Sequence, residues 1–170
     1  MQYSCKLGTP QAQKSQCLVI GIFQNGQPTP LGNVLDEASS GGIQRVLRRR
    51  DLSGDIGSSQ MIYELDGIEA ARVLLVGLGE AKSLTPTTFG LALQAAVKQL
   101  QQAGPTEATI VSPTDDSDEE TYRYVRAAVD ATATAVYRFD ECKSDVKPPK
   151  RPLKRLTYLV AGRKQLAQAK

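Results

Sequence analysis

The sequence predicts an α/β fold, a mixed β-sheet sandwiched by helices, on three observations. The run Arg72-Val73-Leu74-Leu75-Val76 follows the turn pair Asp66-Gly67 and leads into Gly77-Leu78-Gly79-Glu80. That order describes a hairpin delivering a buried strand into a loop that needs glycine dihedrals. Two stretches with apolar residues at helical spacing, one within residues 89–100 and one within 122–136, are separated by a strand-length apolar run, Ala108-Thr109-Ile110-Val111. The chain has 170 residues, 41% hydrophobic and 23% charged, which suits one domain with a core of its own.

Each element has a local reason. Residues 2–7 alternate loosely and Cys17-Leu18-Val19-Ile20-Gly21-Ile22-Phe23 is an apolar run closed by Gln24-Asn25-Gly26, so both read as strands. Pro28, Pro30 and Gly32 mark a loop. Within residues 41–50, Ile43, Val46 and Leu47 share one helical face and the arginines lie elsewhere, as in a short amphipathic helix. Met61, Tyr63 and Leu65 alternate with Ile62, Glu64 and Asp66 before the Gly67 turn, and the hairpin so formed is expected at the sheet centre. Thr85-Pro86 starts a helix, with a capping hydroxyl followed by a proline whose missing N–H does no harm, and Gly104-Pro105 stops it. Ser117-Asp118-Glu119-Glu120 has the order of a capping box ahead of the stripe Tyr122, Val125, Val129, Thr132 and Val136. Residues 140–152 are polar and proline-containing, hence a loop. Leu156-Thr157-Tyr158-Leu159-Val160 is a last strand, and residues 163–170 read as the opening of a helix or linker beyond a domain spanning 1–162.

Composition narrows the function. Without histidine the chain lacks the commonest general base and zinc ligand, so a histidine-based catalytic triad is excluded. Cys5, Cys17 and Cys142 are odd in number and far apart, which fits free buried thiols better than a disulfide framework or a metal clip. No apolar run reaches the ~20 residues of a membrane helix and the start shows no secretion signal, so the expectation is a cytoplasmic protein without a membrane partner. Charge is uneven: residues 143–170 hold nine Lys/Arg against the single acid Asp145, a net of +8, which leaves −5 on residues 1–142 of a chain carrying +3.

Candidate sites are few. Asp115, Asp116, Asp118, Glu119 and Glu120 could ligate a hard cation, but they read better as a solvated loop and helix start, and the calcium-loop spacing is absent. In Gly77-Leu78-Gly79-Glu80-Ala81-Lys82 the third glycine of a dinucleotide fingerprint is replaced by Lys82, and the GK[ST] of a phosphate loop is missing. Ser39-Ser40-Gly41-Gly42 ahead of a helix is the better candidate for a small-molecule cradle, since helix-end amides can meet a phosphate, although it reads better as a flexible helix entrance. Two basic groups, Arg45 with Arg48, Arg49 and Arg50, and Lys147, Lys150, Arg151, Lys154 and Arg155, could neutralise the phosphates of DNA or face solvent or another subunit. Few aromatics interleave with them, which disfavours single-strand stacking.

Several segments in this order resemble the N-terminal domain of the leucyl aminopeptidase family: residues 17–23, Asp51-Leu52-Ser53-Gly54-Asp55-Ile56-Gly57, residues 72–80, and Ala135-Val136-Tyr137-Arg138-Phe139-Asp140 running into Lys143-Ser144-Asp145 and Pro148-Pro149-Lys150. The resemblance spans essentially the whole chain. It implies a macro-domain-like fold, and the glycine-rich stretch at Gly41-Gly42 is similar to the loop with which macro domains bind ADP-ribose. It further implies a parent enzyme, a homo-hexamer, that hydrolyses N-terminal residues from peptides with two divalent ions, Zn or Mn, in a C-terminal catalytic domain. The Asn-Thr-Asp-Ala-Glu-Gly-Arg signature of that domain is absent here, so no catalytic or metal-binding residue carries over and no cofactor is expected in this part. The implied partners are the catalytic domain, neighbouring subunits and, in some bacterial relatives, DNA. The alternative is a stand-alone module for ADP-ribose or a related nucleotide.

Overall fold

The computed structural model describes residues 1–115, 120–136 and 152–169. Its elements are β1 (Gln2–Leu7), β2 (Leu18–Phe23), α1 (Pro30–Ala38), α2 (Gly42–Leu47), β3 (Ser59–Tyr63), β4 (Arg72–Gly79), α3 (Pro86–Ala103), β5 (Glu107–Val111), α4 (Thr121–Val136), β6 (Arg155–Val160) and α5 (Arg163–Gln168). One six-stranded sheet has the order β1-β6-β5-β2-β4-β3, and β3 alone runs antiparallel to its neighbour.

Strand side chains alternate between two apolar layers, as the pleat requires. Val19, Leu74, Val76, Leu78, Ala108, Ile110, Leu156 and Tyr158 pack with α3 and α4. Leu18, Ile20, Ile22, Val73 and Leu75 pack on the opposite face with Leu31 and Leu35 of α1 and Ile43 and Leu47 of α2. Strand β4 is covered on both faces, which is why its sequence is continuously apolar rather than alternating. Between α3 and α4 the Phe89 and Tyr124 rings meet edge to face at 5.6 Å. Gly90, lacking a side chain, lets Ala127 come close.

Four expectations change. The hairpin β3–β4 lies at the sheet's margin, not its centre: β3 is the outermost strand, and the inner positions go to β2 and β5. The half-exposed pattern of β3 is that of an edge, and Arg72 lies over its exposed Tyr63 ring at 5.6 Å. Second, the stretch with Pro30 and Gly32 is helix α1, because Pro30 takes the first helical position and Leu31 and Leu35 make a buried stripe. Third, the arginine-bearing helix is only Gly42–Leu47; Arg48, Arg49 and Arg50 leave it, and Arg50 has φ +58°. Fourth, Gly77 lies inside β4 and only Gly79, at φ +80°, takes the left-handed conformation expected of both. Gly77 is required for closeness instead: a Cβ there would fall 2.1 Å from the Asp55 carbonyl oxygen.

The expected capping box at residues 117–120 lies largely outside the described residues, as do the 140–152 loop, apart from Pro152, and Cys142. Residues 163–168 form α5, which folds back on the sheet; Gln165 is fully buried and Leu166 packs on the α3/α4 layer.

Candidate functional site

In an open α/β sheet the natural ligand crevice lies where neighbouring strands send their connections to opposite sides. Here that point is between β2, which continues toward β4, and β5, which continues toward β6. Residues 24–29 and 112–115 stand at the C-terminal ends of these two strands, and Gln44 Nε2 donates to the Gly26 carbonyl at 3.3 Å, so the Ser39-Ser40-Gly41-Gly42 turn adjoins the crevice.

The turn itself is filled from within. Ser39 is buried; its Oγ donates to the Asp36 carbonyl at 3.1 Å and accepts the Gly42 N–H at 3.2 Å. The Asp36 carboxylate accepts the Gln44 N–H at 2.9 Å. Ser40 and Gly41 take positive φ, and a Cβ on Gly42 would sit 2.5 Å from a Leu65 methyl. The glycines therefore serve a tight turn and a close contact, and the Gly42 and Gln44 amides, two that would meet a phosphate, already face the chain's own serine and aspartate. An incoming anion would have to displace Asp36.

The described members of the two basic groups are kept apart. Arg48, Arg49 and Arg50 precede Leu52 and Gly54, and Gly54 abuts Gln24 beyond the C-terminal end of β2. Lys154 and Arg155 stand at the opposite end of the parallel strands, where the Lys154 N–H donates to the Thr106 carbonyl at 2.7 Å and Arg155 pairs with Glu107 at 3.4 Å. Lys147, Lys150 and Arg151 lie outside the described residues.

Two thiols, a phenol and a carboxyl depart from ordinary titration, the Tyr3 phenol being raised by burial and by Asp130. Burial pushes the Cys17 thiol up to about 12, with Arg72 opposing. Burial also raises Cys5, whose Sγ donates to the Ala169 carbonyl at 3.2 Å. Hydrogen bonds from Ser53 and from Gln24, the latter 2.6 Å long, hold Asp55 below the usual carboxylate value. Thiols kept protonated are poor nucleophiles and poor metal ligands. Among the described residues no three His, Cys, Asp or Glu side chains gather where they could hold a metal ion, and no helix is long and apolar enough to cross a membrane.

What the sequence reading missed is a hollow on the α1/α2 side of the sheet. It is lined by Lys6, Lys14, Glu107, Thr109, Arg155 and Thr157 among others. Only its parity could have shown it, because the first two positions that β1, β5 and β6 present on this face are polar while the alternate residues are mostly apolar.

Comparison with known proteins places the whole. The family model for the cytosol aminopeptidase family, N-terminal domain, matches residues 19–146. A probable cytosol aminopeptidase of Psychromonas ingrahamii is 36% identical over 170 residues, covering 99% of this chain and 34% of the relative. The chain thus spans about a third of the length of the curated relatives it matches. Among solved structures, a tomato leucine aminopeptidase variant superposes with TM-score 0.78 at 19% identity, covering 99% of this chain and 34% of that one. A Trypanosoma brucei macrodomain in complex with ADP-ribose gives TM-score 0.71 at 9% identity over 99% of this chain and 67% of that one, a likeness of fold alone. With a family model matching most of its length and relatives aligned from end to end, this chain belongs to the cytosol aminopeptidase family, of which it is the N-terminal domain.

Proposed function

We propose that this chain is a non-catalytic domain of a cytoplasmic leucyl aminopeptidase, supporting assembly while the rest of the enzyme removes N-terminal residues from peptides. The observation that carries the reading is the end-to-end match to relatives about three times as long. Two divalent ions, zinc or manganese, belong in this reading to the remaining two thirds, where the family's ligand signature resides; this sequence has neither that signature nor a histidine. Support for an assembly role comes from the outer surface of α3 and α4, where exposed Leu91 and Tyr122 flank a groove shaped by Gly90 and Ala127. Large apolar side chains paired across a groove mark a surface suited to another domain or subunit.

The alternatives gain less from the geometry. DNA contact rests on two basic groups whose described members, Arg48 to Arg50 and Lys154 with Arg155, lie at opposite strand ends, and nucleotide binding rests on a turn whose Gly42 and Gln44 amides are already engaged. The reading is tested by assaying the 170-residue chain against a leucine chromogenic peptide analogue with manganese or zinc. The expected result is no metal-dependent turnover, and activity that copurifies with the chain through successive columns would overturn it.

A further inference from the structure

We propose that the polar hollow beneath the β1–β6–β5 half of the sheet is a binding site for a small oxyanion, the phosphate or carboxylate group of a low-molecular-weight ligand. A mostly parallel sheet is ordinarily apolar on both faces because helices cover both. Here one face of three parallel strands breaks that rule in register. Gln2, Arg155 and Glu107 form one cross-strand row, Ser4, Thr157 and Thr109 the next, and Lys6, Leu159 and Val111 the third. The opposite face of the same strands is apolar, with Cys5, Leu156, Tyr158, Ala108 and Ile110. The polarity is thus confined to one side rather than spread along a weak strand.

The rows assemble a receptor. Ser4 and Thr157 share a hydrogen bond at 3.1 Å, and the buried Thr109 hydroxyl donates to Ser15 Oγ at 3.2 Å. Each hydroxyl has one O–H to give. Thr109 gives its own to Ser15 and Ser15 gives its own to the Cys17 carbonyl, so the donor this row offers an anion is the O–H of whichever of Ser4 and Thr157 accepts in their shared bond. Arg155 stands on one side of it, with Nε donating to Gln2 and a terminal nitrogen facing Glu107 at 3.4 Å. Lys6 stands on the other side and makes no ion pair with the described residues. Four residues of strand separate the two cationic rows, about 13 Å at the backbone. Long side chains on both can lean over the hydroxyls between them. The connection from β1 to β2 supplies a roof, since Gln13, Lys14 and Ser15 line the same hollow and Gln13 is buried there by its own bond to the Thr9 carbonyl at 2.8 Å.

Size and charge set the ligand class. The hollow encloses about 130 Å³, room for an oxyanion head group and not for a nucleotide. Three cations, Lys6, Lys14 and Arg155, line the hollow with one carboxylate, Glu107; Arg155 pairs with it at 3.4 Å and Lys14 reaches Glu69 outside the hollow at 3.9 Å, so the cation that tips the balance toward an anion is Lys6. Charge-assisted hydrogen bonds from ammonium and guanidinium groups are the strong ones for such ligands.

The test follows the melting temperature of the 170-residue chain in sodium phosphate, sodium acetate and sodium chloride at equal ionic strength. Saturable stabilisation by phosphate beyond chloride is expected. Saturation by acetate as well assigns the site to oxyanions generally, and its absence assigns it to phosphoryl groups. Lys6→Gln should weaken the phosphate response by about tenfold. Glu107→Gln should tighten it, and Lys98→Gln, on the exposed side of α3, should leave it unchanged. Amide shifts at residues 13–15 and 155–157 in the titration locate the ligand independently of stability. Equal, non-saturating responses to all three salts, or a phosphate response indifferent to Lys6→Gln, would overturn the proposal.

Discussion

Cys17 shows how burial turns an ordinary side chain into a pH-dependent term in stability. It is fully buried beside Met61, and its thiol is pushed from 9.0 up to about 12. The folded state therefore holds a proton that the unfolded chain releases near pH 9. Because the unfolded state binds fewer protons between those values, stability must fall as pH rises through that window, by up to roughly 4 kcal/mol. Tyrosines and lysines titrate there too, so the readout is the difference between the wild type and Cys17→Ala in urea unfolding. Below pH 9 the wild type should be more stable, by the packing its sulfur provides, and the gap should close between pH 9 and 11. A gap that stays constant would mean that the thiol is more accessible than its burial implies. The sequence held part of this: three scattered cysteines read as free thiols, which agrees with Cys5 and Cys17, but which strand face each occupies is set by the register of distant partners.

At the scale of elements, two helices begin with the same dipeptide and differ in how they are capped. Thr85 Oγ1 accepts the Thr88 N–H at 3.2 Å while Thr88 Oγ1 accepts the Thr85 N–H at 2.9 Å, a reciprocal box. Thr29, ahead of Pro30, makes no side-chain cap, and its buried hydroxyl has no partner. Replacing each by the isosteric valine should separate them. Thr85→Val should cost about 1 kcal/mol, whereas Thr29→Val should be neutral or stabilising because it removes a buried, unpaired hydroxyl. Equal losses on thermal unfolding would show that Thr29 caps α1 in solution. The same pair explains what was legible. Thr85-Pro86 was recognisable because a long apolar stripe follows, while Pro30 and Gly32 read as loop because α1 has only nine residues and two glycine and proline signals in its first turn. Likewise the β4 run declared a buried strand, but nothing local told that its hairpin partner β3 would be an edge; only the arrival of β2 and β5 on the other side decides that. The amides of the Ser39–Gly42 turn were equally illegible, since their partner Asp36 belongs to a helix that the sequence reading did not include.

At the scale of the whole molecule, the question is where the domain stops. Sequence logic set the boundary at 162, since the last eight residues contain a single large apolar side chain, Leu166. Polar packing argues for a later end. The Gln165 side chain accepts the Ala161 N–H at 3.1 Å and donates to the Thr114 and Asp115 carbonyls, tying α5 to the loop after β5. Leu166 packs on the α3/α4 layer and the Ala169 carbonyl accepts the Cys5 thiol, so α5 also reaches the β1 edge. A buried amide bonded on both sides is costly to lose because its former partners must find water or stay unpaired. Ending the chain after Gly162 should therefore lower the unfolding free energy by about 3 kcal/mol, and Gln165→Ala alone should account for most of that. Denaturant titration of the three chains decides between the two boundaries. A truncated chain as stable as the full one would put the domain's end at 162 and make α5 a tether, whereas matching losses in the truncation and in Gln165→Ala would make it part of the core.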